Sequence, residues 1–358
     1  MARRPAGRRS PYADLPRAAF WRSAMRAPDE ATVAALYRPK FDLTPQTRLM
    51  TAGSCFAQHL HRTLTRAGWN VLQGEGTGRL LPASLARDYG YNIYSARYGN
   101  IYTARQLRQL IEDALSDTPR PAPVWTRDGR VFDALRPTVE PHGLDSADLV
   151  QEARRDHLAC VRGVLAETDV LIFTLGLTEC WIDRATGLAL PTAPGTVAGQ
   201  FDPDTVTFHN FTYPEVLADL CASRDLLHAA GYPVRILLTV SPVPLTATAS
   251  DAHVGVATTY SKSVLRAVCG VLEAQDPDFD YFPAYEIITT TAAGGPHFAR
   301  NRRDPSATGV DTVLGVFAMA HGDGPAPETA PPPTEAPDTG KTAEEVACEE
   351  ILLEAFRK

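Results

Sequence analysis

The chain has no closely spaced cysteines. Cys55, Cys160, Cys180, Cys221, Cys269 and Cys348 stand far apart over 358 residues, so the paired spacings of zinc sites, redox motifs and dense disulfide frameworks are missing, and the six read as mostly free thiols. Long hydrophobic runs are missing too: nothing approaches the roughly 20 apolar residues that cross a bilayer. The basic opening, Met1-Ala2-Arg3-Arg4-Pro5-Ala6-Gly7-Arg8-Arg9, precedes no apolar segment of export-signal length, so its arginine pairs read as a flexible arm. The default expectation is a cytoplasmic protein with no membrane partner. There is no basic excess either. Lys and Arg total 35 against 42 Asp and Glu, a formal net charge of -7 with pI near 5.7, which excludes a general nucleic-acid binder. Histidines and acids show no compact ligand spacing, so no metal and no cofactor are expected. What remains is ordinary globular composition, 44% apolar and 22% charged, ample for a sizeable core.

Residues 1–11 form the basic, disordered arm and 12–42 a helical lead-in, with Phe20 to Leu36 at helical periodicity. From residue 43 short apolar runs alternate with helical patterns. Arg48 to Ala52 reads as a buried strand, followed by a helix over 55–67 and an apolar run at Trp69 to Leu72. Helices are predicted around 104–115 and 146–165. Val170-Leu171-Ile172-Phe173-Thr174-Leu175 is the continuous run of a buried parallel strand. A helix over 213–230 stops at Gly231; Val234 to Val240 is another buried strand; a helix spans 260–273; Phe279 to Tyr285 is an edge strand; and Ala307 to Phe317 closes the unit. The rhythm predicts an α/β domain over 43–318, a doubly wound, mainly parallel sheet of four or five strands, with ligands bound beyond the strands' C-terminal ends. Residues 322–341 are a Pro-rich acidic linker. In 342–358, Thr342 and Glu345 make a capping box, and Cys348, Leu352, Ala355 and Phe356 share one face of a short amphipathic helix, a handle for a protein partner or a docking segment.

Three rim loops follow from this topology. The first strand runs into Gly53-Ser54-Cys55, which sets two nucleophiles at a helix N-terminus, where unbonded N–H groups and the helix dipole favour a thiolate and an oxyanion. A capping serine and a buried cysteine would give the same string. The second loop is Gly176-Leu177-Thr178-Glu179-Cys180-Trp181, in which Glu179 is a carboxylate beside a core. The third is Ser241-Pro242-Val243-Pro244. Lys262 and Arg266, one turn apart, would bind an anion or make surface ion pairs. Gly99-Asn100, within a tyrosine-rich stretch, offers a further oxyanion donor or a stacking surface. Gly74-Glu75-Gly76-Thr77-Gly78-Arg79 lacks the lysine of a phosphate loop and reads as a flexible loop.

Gly53-Ser54-Cys55-Phe56-Ala57, Thr174 to Glu179, Ser241 to Leu245 and Tyr260 to Arg266 together resemble the GSCFA domain family, which is similar to the SGNH, or GDSL-like, hydrolases and acyltransferases. The resemblance implies a three-layer, flavodoxin-like sheet. It puts Cys55 at the nucleophile position, with Ser54 as the alternative, and Thr178 where those enzymes carry an oxyanion-binding asparagine. Gly53, Gly176 and Ser241 would line the same rim. Where those enzymes carry Asp-x-x-His, this chain has Asn301-Arg302-Arg303-Asp304, so His253 or His297 is the expected proton carrier. The implied activity is an esterase or acyltransferase working through a covalent acyl-enzyme on a small-molecule or glycan ester. The alternative is a non-catalytic binding or assembly module of the same fold.

Overall fold

The computed structural model describes residues 10–26, 28–77, 81–321 and 349–356. The basic arm up to residue 9, the linker at 322–341, the Thr342–Glu345 capping box and Cys348 lie outside the described residues. Nine strands occur among those described: β1 (Leu49–Gly53), β2 (Val124–Arg127), β3 (Arg130–Asp133), β4 (Val170–Leu175), β5 (Glu179–Asp183), β6 (Ala189–Leu190), β7 (Val206–Asn210), β8 (Arg235–Val240) and β9 (Phe279–Tyr281). The longer helices are α1 (Cys55–Arg66), α2 (Ala104–Leu115), α3 (Ala147–Glu167), α4 (Tyr213–Ala229), α5 (Val254–Gln275) and α6 (Ala307–Ala320).

The central sheet is parallel throughout, in the order β1-β4-β8-β9. A parallel bridge from Leu49 to Val71 extends it beyond β1. Every residue of β4 is buried, as its unbroken apolar run requires of a strand covered on both faces. Alternate side chains feed two cores. Met50, Leu171, Phe173, Ile236 and Leu238 pack with α2, α3, α4 and α5, while Leu49, Ile172 and Leu237 pack with α1 and α6. The expected doubly wound α/β architecture with helices on both faces is therefore present. The chain leaves β1 toward Val71 on one side and returns to β4 on the other, so the strand order reverses between β1 and β4, the kind of switch point at whose C-terminal end open α/β sheets bind ligands.

Some elements differ from their expected form. The helical lead-in is broken into Trp21–Met25 and Glu30–Ala34, because Pro28 disfavours helix before it and Asp29 caps a new start, accepting from the Thr32 amide at 2.9 Å. Helix α5 begins at Val254, a turn and a half before the expected start, with His253 as its cap. The edge strand ends at Tyr281 and a short helix, Ala284–Thr289, follows. Residues 179–183 are no loop: β5 pairs antiparallel with both β6 and β7 in a separate three-stranded sheet. The C-terminal segment Glu349–Phe356 forms a 3-10 helix rather than the expected α-helix.

Candidate active site

Gly53 ends β1 with φ 139°, a region L side chains rarely adopt, and a Cβ there would lie 2.4 Å from the Thr174 carbonyl oxygen. Its lack of a side chain lets β1 hold register with β4 right up to the turn, where the Ser54 amide donates to the same carbonyl at 3.0 Å. Ser54 is then the cap residue of α1 and Cys55 its first residue. Both are buried, Ser54 at 2% exposure and Cys55 at 6%. The Ser54 hydroxyl makes no capping bond and, among the described residues, has no hydrogen-bond partner. Thr174 and Thr239, paired with each other at the level of Gly53, also bury unpartnered hydroxyls. Such groups cost about 1–3 kcal/mol each and are tolerated chiefly where they serve a purpose.

Gly176, one residue beyond β4, closes against this turn: a Cβ on it would meet the Ser54 Cβ at 3.0 Å and the Tyr102 ring at 3.1 Å. Its amide donates to the Tyr102 carbonyl at 2.8 Å, and its own carbonyl accepts from Lys262 Nζ at 2.6 Å. Lys262 is buried at 2% exposure, so its ammonium braces the loop from beneath.

Asn100 lies on the other side of the turn. Tyr94 donates its hydroxyl to Asn100 Oδ1 at 2.5 Å, with the Ser54 carbonyl 3.1 Å away, and Gln58 Nε2 donates to the same Oδ1 at 3.1 Å. With its oxygen held twice, the Asn100 amide nitrogen faces the opposite way and donates to the carboxylate of Glu349. Burial, then the neighbouring Cys55 and Glu349, push the Tyr94 phenol well above its ordinary pKa, so it stays a donor. Gly99, at φ 67°, gives the chain the bend that brings Asn100 in.

The remaining predicted residues have partners of their own. Thr178 is fully buried; its amide donates to Ser261 Oγ at 2.9 Å and its hydroxyl to Asn210 Oδ1 at 2.6 Å, so it ties the loop to β7. Ser241 is buried and accepts from the Val243 amide. His253 is exposed, its Nδ1 accepting from the Gly255 amide at 3.1 Å. His297 is half-buried and donates its Nε2–H to the Ala293 carbonyl at 3.1 Å. Arg266 pairs with Glu286 at 2.6 Å and stacks over Tyr281. Asn301 and Asp304 close a turn on themselves, Asn301 Nδ2 to Asp304 Oδ2 at 2.6 Å. Glu75, in the glycine-rich loop, is anchored by the Arg97 amide at 2.7 Å and by His157 at 2.7 Å. Among the described residues no group of three or more His, Cys, Asp or Glu could hold a metal ion, and no helix is long and apolar enough to cross a membrane.

Glu179 accepts from the Thr248 hydroxyl at 2.7 Å and sits on the wall of a cavity of about 500 Å³. This cavity is lined by Leu177, by Trp181, Phe201 and Phe208 of the antiparallel sheet region, by Leu245, and by Leu353 and Phe356 of the C-terminal segment. Its volume and apolar walls suit a small organic ligand.

Sequence reasoning missed His59, Thr138 and Glu349. His59 is half-buried and lies one helical turn after Cys55 on the same face of α1, a spacing visible in the sequence. Thr138 and Glu349 carry no local signal.

The GSCFA family model matches residues 48–317. Among solved structures, the chain is similar to a GDSL-like lipase from Bacteroides thetaiotaomicron VPI-5482, at 10% identity over 80% of this chain and 92% of that one, with a TM-score of 0.32. No curated protein matches it.

Proposed function

The chain belongs to the GSCFA family, and we propose that it is a thiol-dependent ester hydrolase of apolar acyl esters. The observation that carries this reading is the Gly53-Ser54-Cys55 turn at the sheet's switch point, with Cys55 at a helix N-terminus, Gly176 closing against Ser54, and Leu177 of that same loop lining an apolar cavity. In this reaction the Cys55 thiolate attacks the ester carbonyl carbon. The developing oxyanion is stabilised by first-turn amides of α1, the alkoxide leaves with a proton, and water then cleaves the thioester to release the acid and regenerate the thiol. His59, one helical turn after Cys55 and with its ring beside Phe56, is assigned as the proton carrier, because residues four apart on a helix are neighbours on one face.

A second reading, a binding module without chemistry, draws on the self-contained Asn301–Asp304 turn, which supplies no histidine. One experiment separates the two. The wild type, C55A, S54A and H59Q are assayed on p-nitrophenyl butyrate and octanoate, and the quenched enzyme is examined by mass spectrometry. The expected result is an acyl adduct on the Cys55 peptide and a loss of about a thousandfold in kcat/KM for C55A, with a smaller loss for H59Q. Full activity in C55A, or no turnover by any form, overturns the proposal.

A further inference from the structure

Glu349 is buried at 1% exposure, while Leu352 and Phe356 in the same segment are 42% and 64% exposed. Its carboxylate accepts from three side chains at once: Asn100 Nδ2, the Tyr102 hydroxyl at 2.9 Å and the Thr138 hydroxyl at 2.7 Å. Taking a carboxylate out of water is costly unless fixed donors replace its hydration, and here they do. Asn100 and Tyr102 have anchors besides Glu349. Asn100 is fixed through its oxygen by Tyr94 and Gln58, and the backbone of Tyr102 is pinned by the amides of Gly176 and Leu177. The three donors reach both carboxylate oxygens, Asn100 and Tyr102 one and Thr138 the other, so the cradle fits an acceptor with two oxygens. All three donors are neutral, which suits a singly charged carboxylate better than a phosphate, whose greater charge calls for arginine or lysine.

The same segment continues from the cradle into the apolar cavity, where Leu353 and Phe356 form part of the wall. At about 2 Å of rise per 3-10 residue, Leu353 lies roughly 8 Å along the helix from Glu349. The segment thus presents a carboxylate to the cradle and apolar side chains to the cavity, the outline of an amphiphilic acid.

We infer that Asn100, Tyr102 and Thr138 form a carboxylate-binding subsite continuous with the apolar cavity, and that Glu349 is its internal occupant, competing with carboxylic acids that carry an apolar chain. Naming the acid product of ester hydrolysis as the natural competitor rests on the function proposed above; the subsite itself does not. Full-length wild type, E349A and the double variant E349A/T138V are titrated with octanoate and, as the control for charge alone, inorganic phosphate by calorimetry, after thermal melts establish that each is folded. E349A is expected to bind octanoate at least tenfold more tightly than the wild type, with phosphate bound by neither, and T138V in that background to weaken octanoate at least fivefold. In parallel, E349A should raise the rate at which iodoacetamide alkylates Cys55. Equal octanoate affinity in wild type and E349A, or phosphate binding that matches octanoate, overturns the inference. Should E349A unfold, E349Q serves in its place, since its amide N–H groups oppose the cradle's donors. Calorimetry needs no turnover, so a competing tail on an inactive protein, or an active enzyme indifferent to Glu349, tells the failure of one proposal from that of the other.

Discussion

Gly53 and His61 show how single residues of β1 and α1 constrain the site. A methyl group at position 53 would meet the Thr174 backbone, which cannot yield without breaking the β1–β4 pairing. His61, on the inner face of α1, lies between Thr51 Oγ1 at 2.7 Å and Gln73 Nε2 at 2.9 Å. A neutral ring can accept from one neighbour and donate to the other, whereas an imidazolium would turn a second N–H on the Gln73 amide nitrogen. Burial, and secondarily the charge of Arg62, hold its pKa down to about 4 from an ordinary 6.5. In the unfolded chain the ring takes up its proton as the pH falls through about 6.5, but in the folded protein only near 4. Between those values the unfolded state binds more protons, so stability falls as pH falls through this window. At about 1.4 kcal/mol per unit, His61 should contribute on the order of 2–3 kcal/mol to that loss. Urea denaturation of the wild type and of H61N at pH 7.5 and pH 4.5 checks this. The wild type should lose the greater stability on acidification, and a pH-independent gap between the two would refute the assignment.

The rim loops depend on their bracing more than on their own sequence. Lys262, reaching from α5 to the Gly176 carbonyl, holds the loop that closes on Ser54. Replacing it with methionine keeps the apolar stem but leaves that buried carbonyl without its charged donor, at a cost of about 1–3 kcal/mol. K262M should therefore remain folded, with a lowered melting temperature and at least a tenfold lower kcat on butyrate esters, because Gly176 loses its fixed position against the nucleophile turn. Unchanged kcat with the same stability loss would restrict Lys262 to a structural part. That lysine was legible as a candidate, though as an anion ligand; its partner is a backbone oxygen 86 residues away. The parallel strands were legible because 170–175 and 236–240 are buried and so are apolar except for Thr174 and Thr239. Strand β5 was not. Only Glu179 and Cys180 at its start are buried, and its pairing with Val206–Asn210 is set by contacts far along the chain. Asn100 was legible as a polar residue after a glycine, but the convergence of Tyr102, Thr138 and Glu349 on it joins positions up to 249 residues apart and leaves no local trace.

At the scale of the whole molecule, two architectures divide the labour. The parallel sheet supplies the switch point with the Gly53 turn, and strands β5 and β7 of the small antiparallel sheet contribute Glu179, Trp181 and Phe208 to the cavity wall. Trp181 packs edge-on against Phe201 and Phe208, with ring centroids 5.2 and 5.6 Å away, so this wall is itself fixed. A rigid apolar cavity selects by volume, because each methylene accommodated gains about 0.8 kcal/mol while one that does not fit must displace packed neighbours. Ala247 sits at the cavity's exposed edge, in the loop after β8, so a larger residue there fills space without disturbing the core. Ala247→Phe is expected to leave folding stability and acetyl-ester turnover close to wild type while raising KM for octanoyl esters at least tenfold. The comparison is made as kcat/KM over acyl lengths from two to eight carbons. A uniform drop at every length would mean that Ala247 supports the loop rather than bounds the acyl site, whereas a break in the series at intermediate length would set the depth of the cavity in methylenes and tie the antiparallel sheet to substrate selection.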